Sequence, residues 1–252
     1  MKDIKVIISC DDNPYYLDFW YPVSKIWKEY IGVTPVLVHV GTRNDVSLKY
    51  GEVHNIQPDN SLPIHTQAQL ARLWYPKHEP ETLWITSDID MFPLSKTYWN
   101  EVIMNWEATK PDWTNLNSSG GNYFPLCYHV ALGKMFANIL ELDDVFGDYV
   151  RSMIKQDKIK SFHTPENWNG DVMRGWNIDE GVVSEKIANF ISLGGNVHQP
   201  HRIGGQNGRR LNKTNWSYEP SLVKSDYYID CHSIRPYEIH KDEIENLLGL
   251  LK

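Results

Sequence analysis

Short apolar runs alternate along this chain with longer segments in which apolar side chains recur at helical spacing. Residues 4–10 form a mainly apolar run, which is typical of a strand buried on both faces. Residues 15–30 then show helical spacing, and Gly32 follows as a helix end. A second apolar run covers residues 34–40. This order predicts a β-α-β unit, and therefore a parallel sheet with right-handed crossovers.

The same two patterns continue through the rest of the sequence. Further strands are predicted at residues 53–56, from residue 83, and at 112–116 and 227–231. Helical spacing predicts helices at residues 64–75, 95–106, 129–140, 145–154, 181–191 and 238–252. No internal repeat, low-complexity segment or linker interrupts this pattern. Residues 1–252 are therefore predicted to form one α/β domain, with a mostly parallel central sheet flanked by helices.

The apolar run at residues 83–86 leads directly into Asp88 and Asp90. Because side chains alternate along an extended segment, both carboxylates are predicted to point to the same side. Two carboxylates at the carboxyl end of a buried strand suit a hard divalent cation such as Mg²⁺ or Mn²⁺. Asp11 and Asp12 follow the first strand and should reach the same sheet edge, where ligands bind in such folds. The alternative is that Asp88 and Asp90 form a chance Asp-X-Asp turn.

Other polar segments have two interpretations each. Asp179 and Glu180 stand at the start of a predicted helix, where they either favour its N-terminus or one of them faces a reacting centre. Gly120 and Gly121 lie in a small polar loop that permits either close approach to a ligand or a simple turn. Arg202 begins a polar, basic segment to about residue 217, which is either a mobile loop suited to a diphosphate or an ordinary surface loop.

Composition narrows the functional classes. The chain has 252 residues, 41% of them hydrophobic and 23% charged, as in an ordinary globular protein. The net charge of -7 argues against a nucleic-acid-binding surface, which would be basic. Ten Trp and fourteen Tyr either fill the core or offer flat faces to sugar rings and bases.

Cysteine usage and hydropathy indicate the compartment. The three cysteines are widely separated, with neither zinc spacing nor a disulfide framework. The N-terminus becomes polar too early for a signal peptide, and no run is long enough to span a membrane. We therefore expect a cytoplasmic protein without a membrane span.

Two segments together resemble a known enzyme class. Residues 70–76, Leu-Ala-Arg-Leu-Trp-Tyr-Pro, are followed after a turn by residues 83–90, Leu-Trp-Ile-Thr-Ser-Asp-Ile-Asp. This pattern resembles the nucleotide-sugar glycosyltransferases of the GT-A fold, and is most similar to the family 8 type. The resemblance extends from residue 4 to about residue 237, and residues 72–90 are its specific part. It implies one GT-A (Rossmann-like) domain, with an acceptor-side segment at about residues 120–190.

The resemblance also implies site residues. In such enzymes the Asp-X-Asp motif, here Asp88 and Asp90 after Ser87, holds Mn²⁺ or Mg²⁺ against the donor diphosphate. Residues 232–237, His-Ser-Ile-Arg-Pro-Tyr, are similar to a late motif whose His is the third metal ligand, here His232, although the spacing is shorter and a glycine is missing. The remaining implied contacts are Arg72, Arg202 and Arg235 with the donor phosphates, Gly120 and Gly121 with the donor sugar, Asp11 and Asp12 with the base or ribose, and Asp179 or Glu180 with the reacting carbon.

The expected function is metal-dependent transfer of a sugar from a nucleotide-diphosphate sugar to a glycan or another hydroxyl acceptor. A UDP-sugar is favoured as donor, and a GDP-sugar is possible. Tyr123, Trp168 and Trp176 are candidate acceptor-stacking residues. One alternative is a nucleotidyltransferase, although residues 9–14 lack the glycine- and lysine-rich loop that would favour it. The other is a non-catalytic sugar- or nucleotide-binding module.

Overall fold

The computed structural model describes residues 3–117, 124–160, 178–200 and 209–251. The described strands are β1 (Ile4–Asp11), β2 (Thr34–Val40), β3 (Glu52–Ile56), β4 (Leu83–Thr86), β5 (Met91–Pro93), β6 (Trp113–Asn115), β7 (His129–Leu132), β8 (Val197–His198), β9 (Arg210–Asn212) and β10 (Asp230–His232). The described α-helices are α1 (Pro14–Leu17), α2 (Trp20–Lys25), α3 (Ile64–Trp74), α4 (Lys96–Thr109), α5 (Gly133–Leu140), α6 (Phe146–Lys160), α7 (Ile178–Ser192), α8 (Pro220–Lys224) and α9 (Tyr237–Leu248). A π-helix (Ile26–Ile31) extends α2, and a 3₁₀-helix (Tyr75–His78) extends α3.

Within the described residues, seven strands form the central sheet in the order β3-β2-β1-β4-β7-β6-β8. The first four are parallel, and so are β6 and β8, whereas β7 runs antiparallel between β4 and β6. Ile7 of β1 pairs with Thr86 of β4, so both strands end at the same edge of the sheet. The predicted mostly parallel α/β sheet is confirmed. The polar residues that follow β1 and β4 therefore share one edge.

Helices cover both faces of this sheet. Because successive side chains alternate, Val6, Ile8 and Cys10 of β1 face one apolar cluster and Ile7 faces another. The first cluster is covered by α2, the π-helix, α4 and α9, and the second by α3, α5, α6 and α7. Much of the aromatic content fills these clusters, including the almost fully buried Trp20, Trp27, Trp84, Trp99 and Trp113.

A second, three-stranded sheet of order β5-β10-β9 lies beside the first. β10 pairs antiparallel with β5, with His232 opposite Met91, and parallel with β9, with His232 opposite Asn212. The backbone N–H of Ser233 also donates to the carbonyl of Asp90 at 2.9 Å. This pairing brings a late segment of the chain against the acidic turn that follows β4.

The predicted helix over residues 129–140 is wrong in its first part. His129–Leu132 forms β7, and α5 begins at Gly133. A short apolar run in the sequence does not distinguish a strand from a turn of a buried helix. Here the segment is a strand because its backbone pairs with β4 on one side and β6 on the other. Gly133 marks the change, because a Cβ there would lie only 2.1 Å from the carbonyl oxygen of Pro76.

Two further observations concern the cysteines and the helices. The thiols of Cys10, Cys127 and Cys231 are all free. Among the residues that the structure describes, no helix combines the length and the apolar character needed to cross a bilayer. The cytoplasmic location stays a prediction.

Candidate functional site

A cavity of about 270 Å³ lies at the carboxyl edge of β1 and β4. The acidic residues among its lining are Asp11, Asp88, Asp90, Asp179 and Glu180, and the basic ones are His65, Arg72, Lys213, His232 and Arg235. A larger cavity of about 470 Å³ lies beside α4, and its acidic lining residues within the described part of the chain are Glu101 and Asp226. The smaller cavity therefore has the higher number of acidic and basic lining residues, and we call it the site cavity.

Asp88 and Asp90 both line the site cavity, although not for the predicted reason. β4 ends at Thr86, and the two aspartates lie in a turn in which the N–H of Met91 donates to the carbonyl of Asp88 at 3.2 Å. They converge through this turn and not through strand alternation. Asp90 is buried at 4% exposure, while Asp88 is half-buried.

Arg72 joins the acidic turn to the start of α7. It lies on α3 with 7% exposure, and its guanidinium donates to the carbonyl of Ser87 at 3.0 Å and to the Asp88 carboxylate. Its other Nη lies 3.4 Å from Oδ2 of Asp179. Although burial opposes ionisation, Arg72 lowers the pKa of Asp88 below its ordinary value. Ser87 is fully buried, and its hydroxyl donates to the carbonyl of Asp88 at 3.1 Å.

His232 and Arg235 converge on Asp90 from the second sheet. Oδ2 of Asp90 lies 3.2 Å from Nε2 of His232 and 3.3 Å from Nε of Arg235. Arg235 also donates to the hydroxyl of Tyr16 at 2.8 Å. The pairing of β10 with β5 fixes this convergence, because it aligns His232 with Met91, the residue after Asp90.

Asp179 and Glu180 occupy the first turn of α7, as the sequence predicts. The N–H of Glu180 donates to the Asp179 carboxylate at 2.9 Å, so Asp179 contributes to the helix start while also lining the site cavity. Burial raises the pKa of Asp179 to about 7, against the opposing charge of Arg72 and with the added repulsion of Glu180. Such a carboxyl group is poised to exchange protons near neutral pH.

The two aspartates after β1 separate into different environments. Asp11 lines the site cavity and accepts from the N–H of Asn13 at 3.0 Å. Asp12 instead accepts from the N–H groups of Thr42 and Arg43, at 2.9 and 3.2 Å, and its Oδ1 lies 2.8 Å from Nε2 of His39. The carboxylate of Asp12 therefore fastens the segment that follows β2, and this residue is not part of the cavity lining.

Some sequence-predicted residues lie outside the described part of the chain. They are Gly120 and Gly121, Arg202, and the candidate acceptor-stacking residues Tyr123, Trp168 and Trp176.

Two features of the second sheet could not be assigned from the sequence. Arg210, within the basic segment, is not a loop residue but begins β9 and forms a two-point ion pair with Asp230, at 2.7 and 2.5 Å. Asp230 is almost fully buried at 1% exposure. Lys213 lines the site cavity with Nζ 2.9 Å from Nε2 of His232. The only sequence signal for either residue was the basic character of the segment.

The ligand types in the site cavity fit a divalent cation. Two carboxylates and one imidazole, from Asp88, Asp90 and His232, are the oxygen and nitrogen donors that Mn²⁺ accepts and Mg²⁺ accepts in part. In this structure the carboxylates are paired with Arg72 and Arg235. Across the described ranges, no three His, Cys, Asp or Glu side chains are already gathered around one point. Metal binding would therefore require side-chain rotation.

Comparisons with known proteins address the fold. The sequence matches no protein-family model, and no curated protein matches it. Among solved structures, an active-site mutant of LgtC aligns over 98% of this chain and 96% of its own length, with 12% identity and a TM-score of 0.50. The apo-form glycosyltransferase GlyE of Streptococcus pneumoniae aligns over 100% of this chain and 62% of its own length, with 10% identity and a TM-score of 0.50.

The chain has a glycosyltransferase fold of the GT-A type. The fold predicted from residues 72–90 is confirmed. In this GT-A fold the site cavity lies beyond the carboxyl ends of the parallel strands, where open α/β sheets bind their ligands.

Proposed function

We propose that this protein is a metal-dependent glycosyltransferase that moves a sugar from a nucleotide-diphosphate sugar to a glycan or another hydroxyl acceptor. The observation that carries the proposal is the site cavity, in which Asp88, Asp90 and His232 meet Arg72 and Arg235 within a GT-A fold. We favour a UDP-sugar as donor, with a GDP-sugar as the second choice.

The cationic wall of the site cavity supports binding of the donor diphosphate. Asp88, Asp90 and His232 would hold Mn²⁺ or Mg²⁺, which supplies positive charge to the leaving diphosphate when bound. Arg72 and Arg235 would turn from their present carboxylate partners toward phosphate oxygens, for which guanidinium groups offer two-point geometry. Their positive charges would then lie beside the leaving diphosphate, on which negative charge develops as the glycosidic bond breaks.

The position of Asp179 in the lining of the site cavity, 3.4 Å from Arg72, supports a role for this residue at the reacting carbon. Asp179 would accept the proton of the acceptor hydroxyl in an inverting reaction, or stabilise the developing positive charge of the sugar in a retaining one. Glu180, the next residue, is the second candidate and also lines the cavity. Asp11 at the end of β1 would meet the ribose or base. We assign residues 120–190 to the acceptor side.

Donor binding tests the proposal directly. Thermal unfolding would be followed with UDP- and GDP-sugars, with and without Mn²⁺, and nucleotide release would then be assayed. We expect Mn²⁺-dependent stabilisation, which reaches about 2.7 kcal/mol at a ligand concentration 100 times Kd. Stabilisation with no nucleotide release in the presence of varied acceptors would favour a sugar-nucleotide-binding module. The absence of stabilisation by any of these donors would overturn the proposal.

Asp179 should impose a pH dependence on the transfer rate. Because its pKa is raised to about 7, the carboxylate form that accepts a proton is lost as pH falls below neutrality. We expect kcat/KM to rise between pH 6 and pH 8 and to approach a plateau above pH 8. Asp179→Asn should lower the rate and remove this rise, whereas the profile of Glu180→Gln should keep it. An unchanged profile in Asp179→Asn would refute the assignment.

The same group gives a stability check with a defined sign. The folded-state pKa of about 7 exceeds the ordinary value of 3.8, so the native state binds the proton more tightly than the unfolded chain. The stabilisation is therefore complete below about pH 3.8 and is lost as pH rises through about 7. Asp179→Asn should accordingly be more stable, relative to the wild type, at pH 8 than at pH 5.

A further inference from the structure

Among the described residues, three lysine or arginine side chains line the site cavity, and their ion-pair partners differ. Arg72 is paired with Asp88 and Asp179, and Arg235 is paired with Asp90. Lys213 is different, because within the described ranges no carboxylate lies in ion-pair distance of its Nζ. Its described hydrogen-bond partner is Nε2 of His232, at 2.9 Å.

The position of Lys213 is set by the second sheet. β9 ends at Asn212, which pairs with His232 of β10, and Lys213 is the next residue. The side chain is half-buried, and Lys213 and His232 both line the site cavity. The carboxylates of Asp88 and Asp90 act on this ammonium group only from beyond ion-pair distance. A partly buried ammonium without a direct carboxylate contact is unfavourable, so this placement favours a ligand that carries negative charge.

The contact with His232 also has a chemical consequence. An ammonium group only donates hydrogen bonds, so its contact with Nε2 of His232 is a hydrogen bond in the tautomer whose Nε2 carries the lone pair. In that tautomer the Oδ2 of Asp90, 3.2 Å from the same nitrogen, receives no proton from it. That lone pair is the one a metal ion would need. If His232 held the cation through Nε2, its contact with Lys213 would be lost, and the ammonium group would be available in the same cavity to phosphate oxygens of the donor.

We propose that Lys213 is a diphosphate-binding residue, held on His232 until the donor and its cation enter the site cavity. This inference rests on the proposed glycosyltransferase function. Lys213 would contact the diphosphate from the position just after β9, in the same cavity as Arg72 on α3 and Arg235 after β10. It adds a positive charge that the motif resemblance did not assign.

Binding of inorganic pyrophosphate in the presence of Mn²⁺ tests the inference without knowledge of the sugar or base. The intact wild-type chain would be compared by isothermal titration calorimetry with Lys213→Gln, Lys213→Arg and Lys224→Gln. Lys224 is exposed on α8 outside the site cavity, so its variant removes the same charge without the contact. Loss of a charge-assisted hydrogen bond should weaken binding about tenfold or more in Lys213→Gln.

The pattern across the variants decides the outcome. We expect Lys213→Arg to bind within about threefold of the wild type and Lys224→Gln to be unchanged, because both keep a positive charge at position 213. Equal affinity of wild type and Lys213→Gln would overturn the inference and leave the glycosyltransferase proposal standing. So would equal losses in Lys213→Gln and Lys213→Arg with native circular dichroism. No pyrophosphate binding by the wild type would count against both proposals.

Discussion

Asp90→Asn is expected to lower the rate of sugar transfer by about 10²–10³-fold while the fold persists. The side chain keeps its size but loses the charge that faces both Nε2 of His232 and Nε of Arg235, at 3.2 and 3.3 Å. With that carboxylate replaced by a neutral amide, the cavity loses one of the two acidic metal ligands that we propose and the negative charge beside His232 and Arg235. Steady-state rates over a range of Mn²⁺ concentrations measure the effect.

Two comparisons make the Asp90→Asn result interpretable. Asp144→Asn changes a fully exposed aspartate and should leave the rate and its Mn²⁺ dependence unchanged. Circular dichroism and thermal unfolding of Asp90→Asn should remain close to those of the wild type. A correctly folded Asp90→Asn enzyme with full turnover and wild-type Mn²⁺ dependence would remove the acidic turn from the catalytic proposal.

Arg210→Met is expected to cost about 3–5 kcal/mol of unfolding free energy. The substitution would leave the carboxylate of Asp230 buried without its ion-pair partner. This residue has 1% exposure and accepts both hydrogen bonds of the guanidinium. A loss of this size should lower Tm by about 10 °C in a chain of this length, as measured by thermal or denaturant unfolding. Because β10 also carries His232, donor binding should weaken together with stability.

A double substitution separates the stranded charge from lost packing. Arg210→Met with Asp230→Leu removes both charges and should recover much of the stability lost in the single variant. Arg209→Met is the neighbouring control, since Arg209 donates to the carbonyl of Tyr227 at the surface and should matter much less. If the double variant is as unstable as Arg210→Met, burial of an unpaired carboxylate is not the cause.

The sheet was predictable because its strands carry their own signal. In the runs at residues 4–10 and 34–40, consecutive residues are mainly apolar, which predicts a strand buried on both faces. Polar residues follow each run and mark its end. The segment at residues 129–132 carries no such signal, because four apolar-rich residues before a helix look like part of that helix. Only its partners β4 and β6, distant in sequence, make it a strand.

The site was predictable to the extent that it follows strand ends. Asp11, Asp88 and Asp90 meet at one edge because parallel strands end there, a rule that applies without coordinates. The same rule includes Asp12, yet its carboxylate turns to the N–H groups of Thr42 and Arg43. Such choices between neighbouring side chains depend on loop geometry, which local sequence does not specify.

The position of Lys213 and the Arg210–Asp230 ion pair were even harder to predict from the sequence. Both depend on the alignment of β9 with β10, two strands of three residues each. Strands this short have no clear periodicity, so a basic segment with a buried ion pair looks the same in sequence as a solvated loop. The role of His232 came from motif resemblance, and its contact with Asp90 came from strand pairing.

The pairing of β5 with β10 has a consequence for the order in which the protein is made. The seven described strands of the central sheet lie between residues 4 and 198, and both aspartates of the acidic turn are synthesised before residue 91. The imidazole that meets Asp90 comes from residue 232. A nascent chain that has emerged from the ribosome only to residue 200 holds every described strand of the main sheet but still lacks Lys213, His232 and Arg235 of the site cavity.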